Sequence, residues 1–188
     1  MVTNLNKDFW KGKKVLLTGH SGFKGSWMTK LLNNLGSKVY GYSLKANTKP
    51  NLFEILSVSE LCNSKYGDIN DFDNIKDYFF SINPDIVFHF AAQPIVLKSY
   101  QSPVETITTN VIGLTNLLEL VRLSNKFISF VIITSDKCYK KNNNNLPFKE
   151  FDSLGGSDPY SASKACAEII SESYRDSFFS SINSAQIA

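Results

Sequence analysis

The sequence predicts an open α/β fold, a doubly wound parallel sheet with helices on both faces. Short apolar runs alternate with stretches of helical periodicity along most of the chain, and a glycine-rich turn joins the first run to the first helical stretch. Polar residues follow several of the apolar runs. Runs that are apolar throughout are typical of parallel strands, which are buried on both faces. The 188 residues are enough for one domain with a substantial core.

The first strand–turn–helix unit lies in residues 14–36 and predicts a phosphate-binding site. Residues 15–17 are the apolar run, and the turn after them carries Gly19, Gly22 and Gly25. The free N–H groups and the positive dipole end of the following helix suit a pyrophosphate. In such a turn the glycines allow the bend, the approach of the backbone to the phosphates and the packing of helix on strand. The alternative is a tight turn that binds no ligand.

Two segments flank this turn. Residues 1–13 before it are interpreted as an N-terminal arm, with Phe9 and Trp10 packing against the domain. The segment after it is predicted to be a helix, and Gly36 stands where the C-cap is expected. The apolar residues at helical spacing are Trp27, Met28, Leu31, Leu32 and Leu35.

Composition and charge exclude several functional classes. A net charge of +3 with scattered lysines does not indicate nucleic-acid binding. No apolar run is long enough to span a membrane, and the N-terminal residues lack the apolar core of a signal peptide. The three cysteines, Cys62, Cys138 and Cys166, are odd in number and lack metal-ligand spacing, which favours a reduced, cytoplasmic environment.

The end of the second predicted strand, residues 38–44, leaves the choice of dinucleotide open. In NAD-binding folds of this type an acidic residue here binds the ribose 2′-hydroxyl. This sequence has Ser43, Leu44 and Lys45 instead. Because a lysine can neutralise a 2′-phosphate, both NAD and NADP remain open.

The third unit places an aspartate at a strand end. Residues 51–61 predict a helix, residues 64–69 a strand and residues 71–82 an amphipathic helix. Asp68 can accept a hydrogen bond from an adenine amino group. It can also cap the next helix, a role for which Asp71 is an equally good or better candidate.

The fourth predicted strand, residues 85–90, is followed by two alanines. Small side chains at the carboxyl edge of the sheet leave room for a flat cofactor. His89 lies within the apolar run and is interpreted as a buried core histidine rather than a base. In the predicted helix 103–124, Asn110 stands among apolar neighbours and needs partners, which are either the backbone of a neighbouring strand or the cofactor.

The fifth predicted strand, residues 127–134, is expected to be the most deeply buried. It ends in Ser135, Asp136 and Lys137. A hydroxyl, a carboxylate and an ammonium group at the cofactor edge indicate chemistry. The alternative is an ordinary polar strand end.

The last predicted helix, residues 158–178, begins with Asp158 as its cap and a proline in its first turn. Tyr160 and Lys164 are four residues apart and share one face. A cation beside a phenol favours the phenolate, and such a tyrosine can remove a proton from an alcohol near neutral pH. The spacing is a weak signal alone and becomes specific after repeated strand–helix units and a glycine turn.

Five motifs resemble the extended short-chain dehydrogenase/reductase family, and among its nucleotide-sugar dehydratases those that act on CDP-glucose. The related dehydratases of dTDP-glucose and GDP-mannose usually carry Asp-Glu where this sequence has Asp136 and Lys137. The motifs are Phe-Trp-Lys-Gly-Lys at 9–13, Thr-Gly-His-Ser-Gly-Phe-Lys-Gly at 18–25, Phe-Ala-Ala-Gln-Pro at 90–94, Thr-Ser-Asp-Lys-Cys-Tyr at 134–139 and Asp-Pro-Tyr-Ser-Ala-Ser-Lys-Ala-Cys-Ala-Glu at 158–168.

The resemblance implies a Rossmann-like NAD-binding domain over residues 14–188, with Asp68 at the adenine. It also implies that NAD is tightly held and regenerated within each turnover. The residues that the resemblance places at the cofactor are Gly19, Gly22, Phe23, Lys24, Gly25, Ser43, Asp68, Ile69, Phe90, Ala91, Ala92, Gln93, Asn110, Tyr160 and Lys164.

The resemblance further implies a reaction and a role for each catalytic residue. Tyr160 deprotonates the sugar 4-hydroxyl, Lys164 holds the nicotinamide ribose and Ser135 hydrogen-bonds the 4-oxygen. Asp136 then protonates the departing 6-hydroxyl, and Lys137 assists at C5. Oxidation at C4, loss of water across C5–C6 and hydride return to C6 convert CDP-glucose to CDP-4-keto-6-deoxyglucose.

The assembly and the length of the family are also implied. The resemblance predicts a homodimer through helices 103–124 and 158–178. Residues 184–188 are interpreted as the start of a sixth strand. The family carries further strands and a smaller substrate-binding domain, so we predict that this chain is a fragment of a longer reading frame.

Two other functions stay open. One is a related epimerase or reductase, against which Asp136 and Lys137 argue, because an epimerase needs no acid for a leaving hydroxyl. The other is a truncated relative that binds a nucleotide without turnover.

Overall fold

A parallel sheet forms the centre of the structure. A computed structural model describes residues 6–124, 126–141, 146–179 and 186–188. The sheet in these residues has six strands in the order β3-β2-β1-β4-β5-β6, and every pairing is parallel. This order reverses direction at β1, as in doubly wound nucleotide-binding sheets, and it confirms the predicted fold class. The strands are β1 (Lys14–Thr18), β2 (Lys38–Ser43), β3 (Asn63–Tyr66), β4 (Ile86–His89), β5 (Ser129–Ile132) and β6 (Gln186–Ile187).

Helices connect the strands and cover both faces of the sheet. A π-helical turn, Thr108–Ile112, joins two of them, and a 3-10 turn, Asp136–Cys138, follows β5. The helices are α1 (Lys7–Trp10), α2 (Phe23–Asn34), α3 (Leu52–Ile55), α4 (Val58–Leu61), α5 (Phe72–Ile82), α6 (Val96–Gln101), α7 (Pro103–Ile107), α8 (Gly113–Leu123) and α9 (Pro159–Phe178).

Three helical regions differ from the sequence-based prediction. The single helix predicted over residues 51–61 is wrong, because Ser57 adopts a left-handed φ of 47° and separates α3 from α4. The predicted helix 103–124 is continuous but contains the π-helical turn. Helix α6 was not predicted, since its sequence shows no helical cap or clear apolar period. In contrast, α2, α5 and α9 lie where the sequence predicts them.

Two apolar clusters fill the space between sheet and helices. The larger cluster packs α5, α8 and α9 on one face, and the smaller one packs α2 and Trp10 on the other. The central strands β1 and β4 are the most deeply buried. The prediction that the fifth strand is the most buried is therefore wrong. In β5 only Phe130 is fully buried, and within the described residues β6 pairs with Ser129 and Phe130 alone.

The described ends of the chain fit their predictions in part. Asn6 caps α1, and Trp10 stacks on Phe88 at 6.4 Å between ring centroids, whereas Phe9 is largely exposed. The predicted sixth strand is confirmed at residues 186–187, which pair with β5. Residues 1–5 and 184–185, which belong to the same two predictions, lie outside the described residues. Within the described ranges, no helix combines the length and apolar character needed to cross a membrane.

Replacing Gly19 should destabilise the protein more than replacing Gly12. Both have positive φ, 72° and 76°, where a side chain costs about 1 kcal/mol. A Cβ at Gly19 would also lie 2.6 Å from the Ala91 nitrogen, whereas nothing lies within 4 Å of a Cβ at Gly12. Because overpacking adds about 1–3 kcal/mol, we expect a loss of about 2–4 kcal/mol for Gly19→Ala and about 1 kcal/mol for Gly12→Ala. Urea unfolding measures both, and equal losses would contradict the close approach at Gly19.

Candidate active site

The candidate site lies at the carboxyl edge of the sheet, where β1, β4 and β5 end side by side. Thr18 of β1 pairs with His89 of β4, and His89 pairs with Ile132 of β5. The segments that leave these strands therefore start at the same level. In open α/β sheets ligands bind at this edge, next to the point where the strand order reverses.

The glycine turn between β1 and α2 forms a cradle that fits a phosphate. A Cβ at Gly25 would collide with the Gly19 carbonyl oxygen, so helix and turn approach as closely as backbones can. No described side chain caps α2, and its first turn contains no acid. Its first N–H groups are thus available to an anion. Phe23 and Lys24 are exposed on this first turn, and Gly22 is its N-cap.

His20 lies beneath the turn and joins it to β2 and β3. Its Nε2 lies 2.6 Å from Ser64 Oγ and its Nδ1 lies 2.9 Å from Ser43 Oγ. Ser43 also donates to Ser21 Oγ at 2.9 Å, so its buried hydroxyl is engaged within the protein. The ring fills the space that a Cβ on Gly41 would need. Burial lowers the pKa of His20 to about 4, although a backbone hydrogen bond opposes the shift.

The exit of β4 is held by a buried hydroxyl. Thr18 Oγ1 lies 2.7 Å from His89 Nδ1 and accepts a hydrogen bond from the Ala91 nitrogen at 3.3 Å. Phe90, Ala91 and Ala92 beyond it are partly exposed. Burial, and secondarily the nearby charge of Lys164, lower the pKa of His89 to about 3. His89 is therefore a neutral core residue, which confirms its sequence-based interpretation.

Asn110 ties three elements together from inside the π-helical turn. Its Oδ1 accepts from the Gln93 nitrogen at 2.8 Å, and its Nδ2 donates to the Gln93 carbonyl at 3.2 Å. Nδ2 also donates to Ser163 Oγ at 2.8 Å, and Ser163 donates to the Tyr160 carbonyl at 2.6 Å. The predicted tie to neighbouring backbone is confirmed, and it is made to the segment that leaves β4.

Helix α9 presents the predicted tyrosine and lysine from a capped start. The Asp158 carboxylate accepts from the Ser161 nitrogen at 2.9 Å and the Ser161 hydroxyl at 2.6 Å, which confirms the cap. Tyr160 is 8% exposed and Lys164 7%. Lys164 Nζ donates to the Ile133 carbonyl at 2.9 Å. Burial, and then the positive charge of Lys24, lower the pKa of Lys164 to about 8.

Ser135, Asp136 and Lys137 form a short turn against α9. Ser135 Oγ accepts from the Lys137 nitrogen at 3.2 Å and donates to Asp136 Oδ1 at 3.1 Å. Asp136 and Lys137 are exposed at the mouth of the site. Burial raises the pKa of Asp158, but hydrogen bonds from Ser161 and the charge of Lys137 outweigh it, so that pKa is lowered overall. The turn thus combines a hydroxyl, a carboxylate and an ammonium group.

Asp68 and Ile69 lie farther along the same edge, after β3. Asp68 is exposed, and its Oδ1 accepts from the Asn70 nitrogen at 2.9 Å. Asp71 caps α5 through the Asn74 nitrogen at 3.1 Å, so the cap belongs to Asp71 and Asp68 is left for other contacts. Ile69 is buried. Adenine binding by Asp68 stays a prediction.

Sequence reasoning assigned no role to three residues that build this site. His20 and Ser163 lie inside recognised motifs, but their partners are distant in sequence and no local pattern reveals them. Glu168 accepts a hydrogen bond from Thr134 at 2.5 Å. The sequence does contain a signal for Glu168: it continues the four-residue spacing of Tyr160 and Lys164 and therefore lies on the same face of the helix.

Comparisons with known proteins agree with this geometry. The sequence profile of the family described as GDP-mannose 4,6 dehydratase matches residues 16–186. The chain is 46% identical over 179 residues to a CDP-glucose 4,6-dehydratase of Salmonella typhimurium, covering 95% of this chain and 50% of that protein. It is 30% identical over 178 residues to a GDP-mannose 4,6-dehydratase of Vibrio cholerae, covering 88% of this chain and 46% of that protein. The chain spans about half the length of the curated relatives it matches.

A solved structure shares the fold. The crystal structure of UDP-glucose 4-epimerase from Brucella ovis in complex with NAD superposes with a TM-score of 0.76 at 27% sequence identity. The superposition covers 89% of this chain and 49% of that chain. The described sheet and its glycine turn therefore have the fold of that NAD-bound epimerase.

The two buried histidines should make stability fall with acid. In the folded state their pKa values lie below the ordinary 6.5, at about 4 for His20 and about 3 for His89. The unfolded chain thus binds more protons below pH 6.5, and each histidine contributes a loss of about 1.4 kcal/mol per pH unit. Urea unfolding between about pH 7 and about pH 5 measures this slope. His89→Asn should remove one histidine's share, and an unchanged slope in that variant would contradict the assignment.

Proposed function

This chain belongs to the GDP-mannose 4,6 dehydratase family, and from that membership we propose that it is the cofactor-binding part of a CDP-glucose 4,6-dehydratase. One observation carries the proposal: Asp136 and Lys137 lie in a turn that packs against the helix of Tyr160 and Lys164. An acid beside a tyrosine–lysine pair suits oxidation followed by loss of a hydroxyl. The identity of 46% to a CDP-glucose 4,6-dehydratase and the Asp-Lys pair favour CDP-glucose over other nucleotide sugars.

NAD is the cofactor that the glycine cradle fits. The turn residues Gly19, Gly22 and Gly25 and the N-terminus of α2 would hold the pyrophosphate, and Asp68 the adenine. When bound, NAD supplies reversible hydride transfer, at C4 in the oxidation and at C6 in the reduction. The complex with NAD of the Brucella ovis epimerase supports this choice over NADP. Lys45, two residues after β2, could neutralise the 2′-phosphate of NADP. A binding experiment that compares NAD with NADP decides between the two cofactors.

Three residues act on the sugar C4 oxygen. Tyr160 takes the proton of the 4-hydroxyl as a general base. Lys164, fixed by its bond to Ile133, lends positive charge to the phenolate and to the nicotinamide ribose. Ser135 donates a hydrogen bond to the 4-oxygen, for which its hydroxyl turns from Asp136 to the substrate. Together these residues stabilise the charge that develops on oxygen.

Asp136 and Lys137 act on C6 and C5. The 4-ketone acidifies the C5 proton, so water can be lost across C5–C6. Asp136, in its protonated form, donates its proton to the departing 6-hydroxyl. Lys137 assists removal of the C5 proton, for which its ammonium group must first lose a proton. Both side chains are exposed at the mouth of the site and are therefore accessible to a bound sugar.

We also infer a cytoplasmic homodimer. All three cysteines are free, as in a reducing compartment. Helices α7 and α9 carry apolar side chains that the single chain leaves exposed, among them Val104 at 77% and Ile169 at 53%. A second copy that covers these helices would bury them.

Asp136→Asn tests the dehydratase reaction. In the protein that the intact gene encodes, we expect CDP-glucose to be dehydrated at least about 100-fold more slowly, because the leaving hydroxyl loses its acid. Oxidation at C4 should persist, so an undehydrated 4-keto sugar appears by mass spectrometry. Asp176→Asn, an exposed change on α9, should keep the wild-type rate.

The contrary results are distinct. Unchanged product formation in Asp136→Asn would refute the role of this residue. A wild-type protein that inverts C4 without loss of water would be an epimerase, and one that binds NAD without any turnover would be a non-catalytic relative. A panel of CDP-glucose, dTDP-glucose and GDP-mannose identifies the nucleotide.

Charge on the exposed apolar surface should dissociate the dimer. Val104→Glu or Ile169→Glu would bury a carboxylate in the interface, which costs more than the contact it replaces. Light scattering should then change from dimer to monomer mass. Phe80→Glu, a matched change on α5, should leave the dimer intact. A monomeric wild-type protein would contradict the proposed assembly.

A further inference from the structure

Helix α9 holds the exit of β5 by two consecutive residues. Lys164 Nζ donates to the carbonyl of Ile133 at 2.9 Å, and the carboxylate of Glu168 accepts from the hydroxyl of Thr134 at 2.5 Å. The next residue in the chain is Ser135. The strand end is therefore fastened to the helix immediately before the turn that carries the proposed chemistry.

The two fastening side chains carry opposite charges and lie on one face of the helix. Lys164 and Glu168 are four residues apart, and Tyr160 is four residues before Lys164. The carboxylate of Glu168 is half-buried and raises the pKa of Lys164, against the larger effects of burial and of Lys24. Glu168 thus acts on the backbone end of β5 and on the cation at the same time.

We propose that Glu168 is a positioning residue of the dehydratase: through Thr134 it fixes Ser135, and through its charge it keeps Lys164 an ammonium ion. This inference rests on the proposed function, because it assigns Glu168 to the same site. The alternative is that Glu168 ties helix to strand for stability alone. That alternative predicts no change in the pH dependence of turnover.

The surroundings of both groups are defined. Lys164 is faced by Lys24 from α2, by His89 from β4 and by Glu168. His89 is neutral, so Glu168 is the negative charge in this set. Glu168 in turn is faced by Cys138 and Tyr139 from the turn after β5. Arg175 lies with it on a cavity of about 210 Å³ at the β5 edge.

Two substitutions separate the two actions. Glu168→Gln keeps an oxygen that can accept from Thr134 and removes the charge. Thr134→Val keeps the charge and removes the hydrogen bond, and Thr134→Ser restores the donor. Glu172→Gln, one helical turn further at an exposed position, is the matched control. Circular dichroism and urea unfolding check that each variant folds.

We expect different kinetic signatures in the protein that the intact gene encodes. Glu168→Gln should move the alkaline limit of kcat to lower pH by roughly 0.5–1 unit, because Lys164 loses its neighbouring carboxylate. Thr134→Val should lower kcat about 10-fold at every pH with little change in KM, since Ser135 is misplaced. Thr134→Ser should recover most of the rate, and Glu172→Gln should behave as wild type.

The inference and the proposed function fail in different ways. A wild-type protein without dehydratase activity overturns the function. In that case the inference is still decided by NMR titration of ¹³C-labelled lysine, with Lys164→Arg identifying the signal. A lower Lys164 midpoint in Glu168→Gln supports the inference. An unshifted midpoint, or wild-type kinetics in both Glu168→Gln and Thr134→Val of an active enzyme, overturns it.

Discussion

The parallel register of β1, β4 and β5 is the constraint on which the site depends. Thr18, His89 and Ile132 lie side by side across the three strands. The glycine turn, the segment with Ala91 and Ala92, and the turn at Ser135 consequently begin at one level. Helix α9 contacts the start of the last turn through Lys164 and Glu168. A shift of one residue in either pairing would move the strand ends by about 3.3 Å and turn their side chains to the other face. Register, more than any single contact, assembles the chemistry.

Holding these strand ends requires polar groups in the interior, and each is satisfied locally. The Thr18 hydroxyl hydrogen-bonds His89 and the Ala91 nitrogen, and the Asn110 side chain hydrogen-bonds Gln93 and Ser163. Among the described residues, Asn70 Oδ1 is the one buried side-chain oxygen or nitrogen without a partner. A partly satisfied network costs more than an apolar one. The π-helical turn places Asn110 where it makes these hydrogen bonds within a continuous helix. Such turns are frequent at functional sites.

Local patterns and family motifs made the fold predictable from sequence, together with the position of the candidate site at the carboxyl edge of the sheet. Glycine spacing located the cradle, and the four-residue spacing located Tyr160 and Lys164, because both signals lie within one or two turns of chain. The family assignment from these motifs is confirmed. What failed depends on distant partners. The burial of β5 depends on how much of it the neighbouring strand covers. The break between α3 and α4 depends on the left-handed backbone of Ser57, a conformation that is usually signalled by a glycine. Glu168 lies within a motif, but the sequence assigns it no role, since its partner Thr134 is 34 residues away.

The ring of His20 occupies the room left by the missing side chain of Gly41. The two positions therefore cannot vary independently. A methyl group at position 41 would require the ring at position 20 to shrink or move, and loss of the imidazole would leave a void beneath the glycine turn.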